Sequence, residues 1–179
     1  MKKEHSESAT YLCVLKSRGL DSFGLLRAIR LKGRWVFANV PGVTEEREPS
    51  AAGTRYTLGL LYPSRMSSLA DADIDAQVIA AGATLCHPEV ALYLREKYSQ
   101  ERLLAIVNRK RPRGSDEIAD VAVRHEIFPG KNTRRAILWA RDDADAVSGP
   151  KAEERPQWDT KTVFVVCLPE RPTRSKKLT

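Results

Sequence analysis

The chemistry this sequence offers first is cationic. Four of the six residues from Arg109 to Gly114 are positively charged (Arg109, Lys110, Arg111 and Arg113), three more alternate at Arg30, Lys32 and Arg34, and Lys131, Arg134 and Arg135 follow later. On an extended strand, residues two apart share a face about 6 to 7 Å from one another. Such a row suits the phosphates of an extended single strand, and a groove that tracks a nucleic-acid backbone needs it. Rings on which bases could stack are present in Trp35, Phe37, Tyr56, Tyr62, Trp139 and Trp158, each stacked base contributing ~1 to 3 kcal/mol. The competing use of these rings is packing: Trp35 and Phe37 share parity with Ile29 and Leu31 and read first as core. Tyr56, Trp35 and Trp139 stay as candidate platforms.

Other chemistry is sparse. The three cysteines, Cys13, Cys86 and Cys167, and the three histidines, His5, His87 and His125, are dispersed, with no CxxC pair. Neither a disulfide framework nor a zinc module is indicated, and the thiols read as small buried apolar groups. Asp142-Asp143-Ala144-Asp145 and Asp159-Thr160-Lys161 loosely match the acid-x-Lys spacing of metal-dependent nucleases, although a solvated acidic loop accounts for Asp142 to Asp145 more simply. His125 would be the general base of such a site, because neighbouring strand residues face opposite ways. There is no glycine-rich phosphate loop, nucleophile elbow or HExxH. The expectation is a non-enzymatic protein with no cofactor and no metal; a metal-dependent nuclease is the minor alternative.

These groups need elements to hold them. Tyr11 to Leu15 reads as a first strand. Ala28 to Val40 reads as a second, with Ile29, Leu31, Trp35 and Phe37 on one side and Arg30, Lys32 and Arg34 on the other. Pro41 to Gly53 reads as a long loop, and Thr54 to Tyr62 as a strand pairing antiparallel with the second. A helical block follows. Ile74, Val78, Ala81 and Leu85 recur at helical spacing behind Asp71, Asp73 and Asp75, which are expected to cap the helix N-terminus in preference to binding a metal. Pro88 opens another helix, with Val90, Ala91, Leu94 and Tyr98 inward and Arg95, Glu96 and Lys97 outward. Ser99 caps a further segment through Val107 whose type, helix or strand, is ambiguous. Asn108 to Glu117 is a basic turn, Ile118 to Phe128 and Thr133 to Arg141 are strands, Asp142 to Trp158 is a second long loop, and Thr162 to Leu168 is a buried final strand.

At 179 residues and 42% hydrophobic content, one core is expected over 1–168, with 169–179 a disordered basic tail. No apolar run reaches the ~18 to 20 residues that span a bilayer, so a soluble, cytoplasmic protein without membrane partners is the default. The net charge of +7 favours a polyanionic partner. The fold class is α+β: a mainly antiparallel sheet, or a small barrel of the oligonucleotide-binding type, with one inserted helical block.

Arg34-Trp35-Val36-Phe37-Ala38-Asn39-Val40, a charged loop, and Arg55-Tyr56-Thr57-Leu58-Gly59-Leu60-Leu61-Tyr62-Pro63-Ser64 together resemble the opening of phage single-stranded-DNA-binding proteins of the oligonucleotide-barrel type. The resemblance covers about the first half of the chain and implies that barrel and the side on which nucleic acid lies. The first functional expectation is therefore a protein that binds single-stranded DNA or RNA. Phosphate contacts fall to Arg30, Lys32, Arg34, Arg109, Lys110, Arg111, Arg113, Lys131, Arg134 and Arg135, and stacking to Trp35, Tyr56 and Trp139. The alternative is a phage- or plasmid-encoded inhibitor, or a ribonucleoprotein subunit, whose basic surface docks on an acidic protein.

Overall fold

The computed structural model describes residues 9–36, 49–125, 135–141, 144–148 and 158–170, with the backbone alone for 35–36, 135–141 and 144–148. The first element among the described residues is β1 (Thr10–Lys16), in which an irregularity between Tyr11 and Cys13 turns both Leu12 and Cys13 inward beside Leu15. Helix α1 (Ser22–Arg30) follows, in place of the strand expected from residue 28 onward. Its start is set by Asp21, whose carboxylate accepts from the Gly24 N–H at 2.7 Å. Leu25 and Ile29, four apart, bury one helical stripe. The alternation that suggested a strand depended on Ile29 and Leu31, but Leu31 lies at the helix end, 79% exposed, and Gly33 turns the chain at φ 70°. Among the described residues of that segment, β2 (Trp35–Val36) is the one strand.

After β3 (Arg55–Leu61) and a single 3-10 turn at Pro63–Arg65 come α2 (Asp71–Ala80), α3 (Val90–Lys97) and α4 (Gln100–Lys110). The expected helical block is present, and its ambiguous third segment is a helix. Ser99 caps α4 by accepting from the Arg102 N–H. Arg95, expected outward, is fully buried and donates from Nη2 to the Tyr98 carbonyl at 2.8 Å, which closes the end of α3. The strands β4 (Asp120–Arg124), β5 (Arg135–Arg141), β6 (Ala144–Ser148) and β7 (Thr162–Cys167) follow among the described residues. Strand β6 lies inside the segment expected to be a loop. The tail from 171 onward lies outside the described residues, as does the turn Pro129 to Asn132.

The strands form one mixed sheet in the order β1-β3-β7-β4-β5-β6-β2. Four of its pairings are antiparallel; β4 with β7 and β2 with β6 are parallel. Strand β3 thus lies between β1 and β7, not beside the 28–40 segment. Among the described residues the sheet is open, with β1 and β2 at its two edges, so the expected small barrel is not formed. The class is α+β.

Both faces of the sheet at β3, β7 and β4 are covered. Leu58, Leu60 and Tyr62 of β3 and its end, with Val121, Val123, Val163 and Val165, pack against α1, α3 and α4. Leu61, Ala122, Phe164 and Val166 face the other way, onto Ile74 and Val78 of α2 and onto Trp158. This two-sided burial is why Thr162 to Cys167 reads as a continuous apolar run. On the α2 side, Arg124 is fully buried. Its Nη1 donates to Asp71 Oδ1 at 2.9 Å and its Nε to Asp75 Oδ1 at 3.1 Å, while Nη2 also contacts Asp75. Trp158 adds its indole N–H to Asp71 at 2.9 Å and meets Phe164 edge-on at 5.2 Å. Asp71 and Asp73 lie in the first turn of α2, where negative charge at the helix N-terminus was expected, although no side chain among the described residues caps it by a hydrogen bond; Asp71 and Asp75 in addition clamp a buried arginine, and Trp158 is core.

Candidate nucleic-acid interface

An edge strand leaves one side unpaired in the sheet, and what lies along that side decides what can approach it. Beside β1 the neighbours are cations and tyrosines. At its start Tyr11 is 47% exposed, and Lys110, in the last turn of α4, places Nζ 5.9 Å from the Tyr11 ring centre. Midway, Lys97 donates from Nζ to the Val14 carbonyl at 3.0 Å. The same ammonium lies 5.4 Å from the Tyr98 ring centre, and the Arg102 guanidinium 5.8 Å from it. Cation–π contacts of this kind hold flexible heads in place without neutralising them.

The far end of β1 runs into Lys16-Ser17-Arg18-Gly19. Here Arg18 Nη2 and Lys32 Nζ each lie 3.1 Å from Glu96 Oε1. Lys32 also donates to the Glu96 carbonyl at 2.9 Å, and Arg34 Nη1 donates to the carbonyls of Arg95 and Glu96 at 2.8 and 2.6 Å. These carbonyls end α3, where the helix dipole is negative and cations are favoured. Two open clefts flank Lys16. One, of about 490 Å³, is bounded by Ser17, Arg18, Ala52 and Gly53; the other, of about 300 Å³, by Val14, Lys32, Tyr93, Glu96 and Lys97. From Tyr11 to Lys16 the strand covers about 17 Å at ~3.3 Å per residue.

Burial shapes the titration of this edge. Desolvation pushes the Cys13 thiol up from its ordinary value, opposed by the charges of Lys97 and Lys110 and by a hydrogen bond to Tyr98. Desolvation also pushes the Tyr98 phenol up to about 12, with Cys13 adding to the rise.

The row of phosphate-binding side chains expected at Arg30, Lys32 and Arg34 is not a strand face. Arg30 is exposed in the last turn of α1, Lys32 sits in the following turn, and Lys32 and Arg34 bind the end of α3. Arg109, Arg111 and Arg113 are exposed at and beyond the end of α4, and Lys110 joins that cluster to the Tyr11 end of β1. Tyr56 is no platform. Its hydroxyl donates to Glu89 Oε1 at 2.9 Å and is 2.5 Å from Ser50 Oγ, and its ring stacks 6.0 Å from His87. Burial pushes that phenol far above its ordinary range. The network fastens the segment around Ser50 to the start of α3. Lys131 and Arg134 lie outside the described residues, and the side chains of Trp35, Arg135 and Trp139 lie outside those described.

Of the nuclease candidates, Asp159 accepts from the Lys161 N–H at 2.7 Å in a tight turn, and His125 is fully buried. Asp142 and Asp143 lie outside the described residues. Among the described residues no group of three or more His, Cys, Asp or Glu is arranged to hold a metal ion, and no helix is long and apolar enough to cross a membrane.

The sequence reading missed Tyr11, Lys16, Arg18, Lys97, Tyr98 and Arg102. A partial signal existed. Lys16-x-Arg18 directly follows the first strand, and Tyr98 and Arg102 are four apart; that they meet along one edge depends on how α3 and α4 pack. The site so defined belongs to an α+β protein whose edge strand is lined by cations. Compared with known proteins, the chain matches no family model, no curated sequence and no solved structure.

Proposed function

We propose that this protein binds nucleic acid, single-stranded DNA or RNA, along the β1 edge. Lys16, Arg18, Lys32, Lys97, Arg102 and Lys110 contact phosphates, and Tyr11 offers its exposed ring to a base. The observation that carries the reading is the alignment of these cations with two tyrosines along one strand edge, with Glu96, among the described residues, the single carboxylate paired with them. A single strand fits better than a duplex because stacking on Tyr11 requires an unpaired base. The Arg109 to Arg113 cluster extends the same track beyond Lys110.

The test is fluorescence anisotropy with labelled single-stranded DNA, single-stranded RNA and duplex DNA at two salt concentrations. Six phosphate contacts on a single strand give a log–log salt slope of about −4, a loss of about two decades or more between 50 and 200 mM salt. Arg102→Glu with Lys110→Glu should weaken binding at least tenfold while leaving the melting temperature within a few degrees, since Arg102 is exposed and Lys110 is half-buried against the partly exposed Tyr11 ring. Binding that ignores salt and the charge reversal refutes the reading. A stoichiometric acidic protein partner held by the same residues, with no nucleic-acid affinity, replaces it.

A further inference from the structure

We propose that the two clefts flanking Lys16 form a seat for a phosphate monoester at the end of the bound strand. This rests on the nucleic-acid reading and specifies which part of the ligand occupies the far end of β1.

Charge supplies the first argument. Lys16, Arg18, Lys32 and Lys97 surround the clefts, and among the described residues Glu96 is the single acidic side chain on their walls. Four cations against one carboxylate leave a surplus of three. Arg18 and Lys32 even share one oxygen of that carboxylate. A phosphodiester inside a strand carries one negative charge, whereas a terminal phosphate monoester carries −1.5 to −2 near pH 7 and presents three acceptor oxygens. The surplus therefore matches the end group better than an internal link.

Mobility and shape point the same way. The Arg18 and Lys32 side chains are 48% and 47% exposed, so both heads can swing from Glu96 to a phosphate without being buried. Lys97 is pinned by the Val14 carbonyl and provides a fixed charge. Lys16 makes no ion pair among the described residues and reaches both clefts. One wall is Gly53, held at φ 95°, where any side chain would be strained and would narrow the entrance. Beneath lie the Ser17 and Tyr93 hydroxyls, 3.0 Å apart. Tyr93 also accepts from the Arg18 N–H at 3.2 Å, which fixes the backbone that carries Arg18. A strand lying along β1 from Tyr11 reaches this seat last, so the group it presents there is its terminus.

The experiment compares one labelled single-stranded 12-mer carrying a 5′-phosphate, a 3′-phosphate or hydroxyls at both ends, against wild type and Lys16→Ala at fixed ionic strength. One phosphorylated end should bind about tenfold tighter than the hydroxyl-ended strand, and Lys16→Ala, which weakens every strand by the loss of one phosphate contact, should in addition abolish most of that preference. Equal affinity for all three ends overturns the seat but leaves the nucleic-acid reading standing. A preference undiminished in Lys16→Ala also overturns it. No binding of any 12-mer overturns both.

Discussion

Removing the Asp75 carboxylate should expose how strongly α2 is fastened to the sheet. Arg124 is fully buried, and two of its nitrogens are held by Asp75 and a third by Asp71. The Asp75 side chain is 14% exposed and that of Asp71 39%. Taking away one partner of a buried ion pair costs about 3 to 5 kcal/mol, because the remaining charge stays desolvated. Asp71 still holds Nη1 and is screened by solvent, which lowers the expectation for Asp75→Ala to about 2 to 3 kcal/mol. For a chain of this size that corresponds to a fall of about 4 to 12 °C in Tm. Asp75→Asn, which keeps an acceptor oxygen, should lose less. The assay is denaturant unfolding followed by far-UV circular dichroism, with the loss read as a shift in midpoint at unchanged slope. A buried clamp is little affected by salt, so the difference should be the same at 0.05 and 0.5 M sodium chloride. A loss under about 0.5 kcal/mol, or one that vanishes in salt, would mean that Arg124 is solvated and that the clamp does not hold α2.

Alkaline pH should destabilise the fold, with a sign set by the tyrosines. Burial raises Tyr62 from 10 to about 12, and its hydroxyl donates to the Val107 carbonyl at 2.6 Å. The unfolded chain thus loses this proton from pH 10 while the folded chain holds it to about 12. Stability is whole below pH 10 and falls by about 1.4 kcal/mol per pH unit toward 12. Tyr98 shifts in the same direction. Tyr62→Phe should flatten part of that fall and cost about 1 to 2 kcal/mol at neutral pH, and an unfolding midpoint constant from pH 9.5 to 11.5 in wild type would refute the assignment. Gly59→Ala would place a Cβ 2.9 Å from the Leu168 side chain, costing about 1 to 3 kcal/mol by overpacking; a melting point equal to wild type would show that Leu168 yields freely. Arg34→Ala should lower stability by about 1 kcal/mol through the lost α3 carbonyl contacts, while Lys16→Ala should leave the melting curve unchanged and weaken oligonucleotide binding. Equal effects of the two on melting would remove the distinction between them.

Where neighbouring residues settle a conformation, the sequence was a good guide. Ile74 and Val78 behind the acidic start of α2, Ser99 before α4, and the apolar run at Val163 to Val166 each became the expected element. The errors came where two periods compete. Ile29 and Leu31 fit a two-residue repeat with Trp35, yet Leu25 and Ile29 with the Asp21 cap fit a helix, and burial under α3 decided between them. Charged residues misled for a related reason. Arg95 and Arg124 look like solvent-facing positions, because nothing local reveals the Tyr98 carbonyl waiting for one or the α2 carboxylates waiting for the other. Of the candidate site, Lys32 and Lys110 were legible as cations, whereas their alignment with Lys97, Arg102 and Tyr11 is a product of how the helices pack.

The end of α3 shows why the cations gather at one corner before any ligand arrives. A helix terminus leaves carbonyls unpaired and carries partial negative charge. Three side chains from outside the helix answer it: Lys32 and Arg34 bind its carbonyls, and Arg18 joins Lys32 on Glu96. Stability alone accounts for these three. It does not account for Lys16, which satisfies no carbonyl or carboxylate among the described residues, nor for Arg102 and Lys110, which are arrayed over tyrosine rings along the strand edge. Cations that the fold does not consume, placed in line with a cluster that it does, are the surplus on which a polyanion can act. Function at this edge therefore depends on Lys16, Arg102 and Lys110 more than on Arg34, although Arg34 was the more conspicuous residue in the sequence.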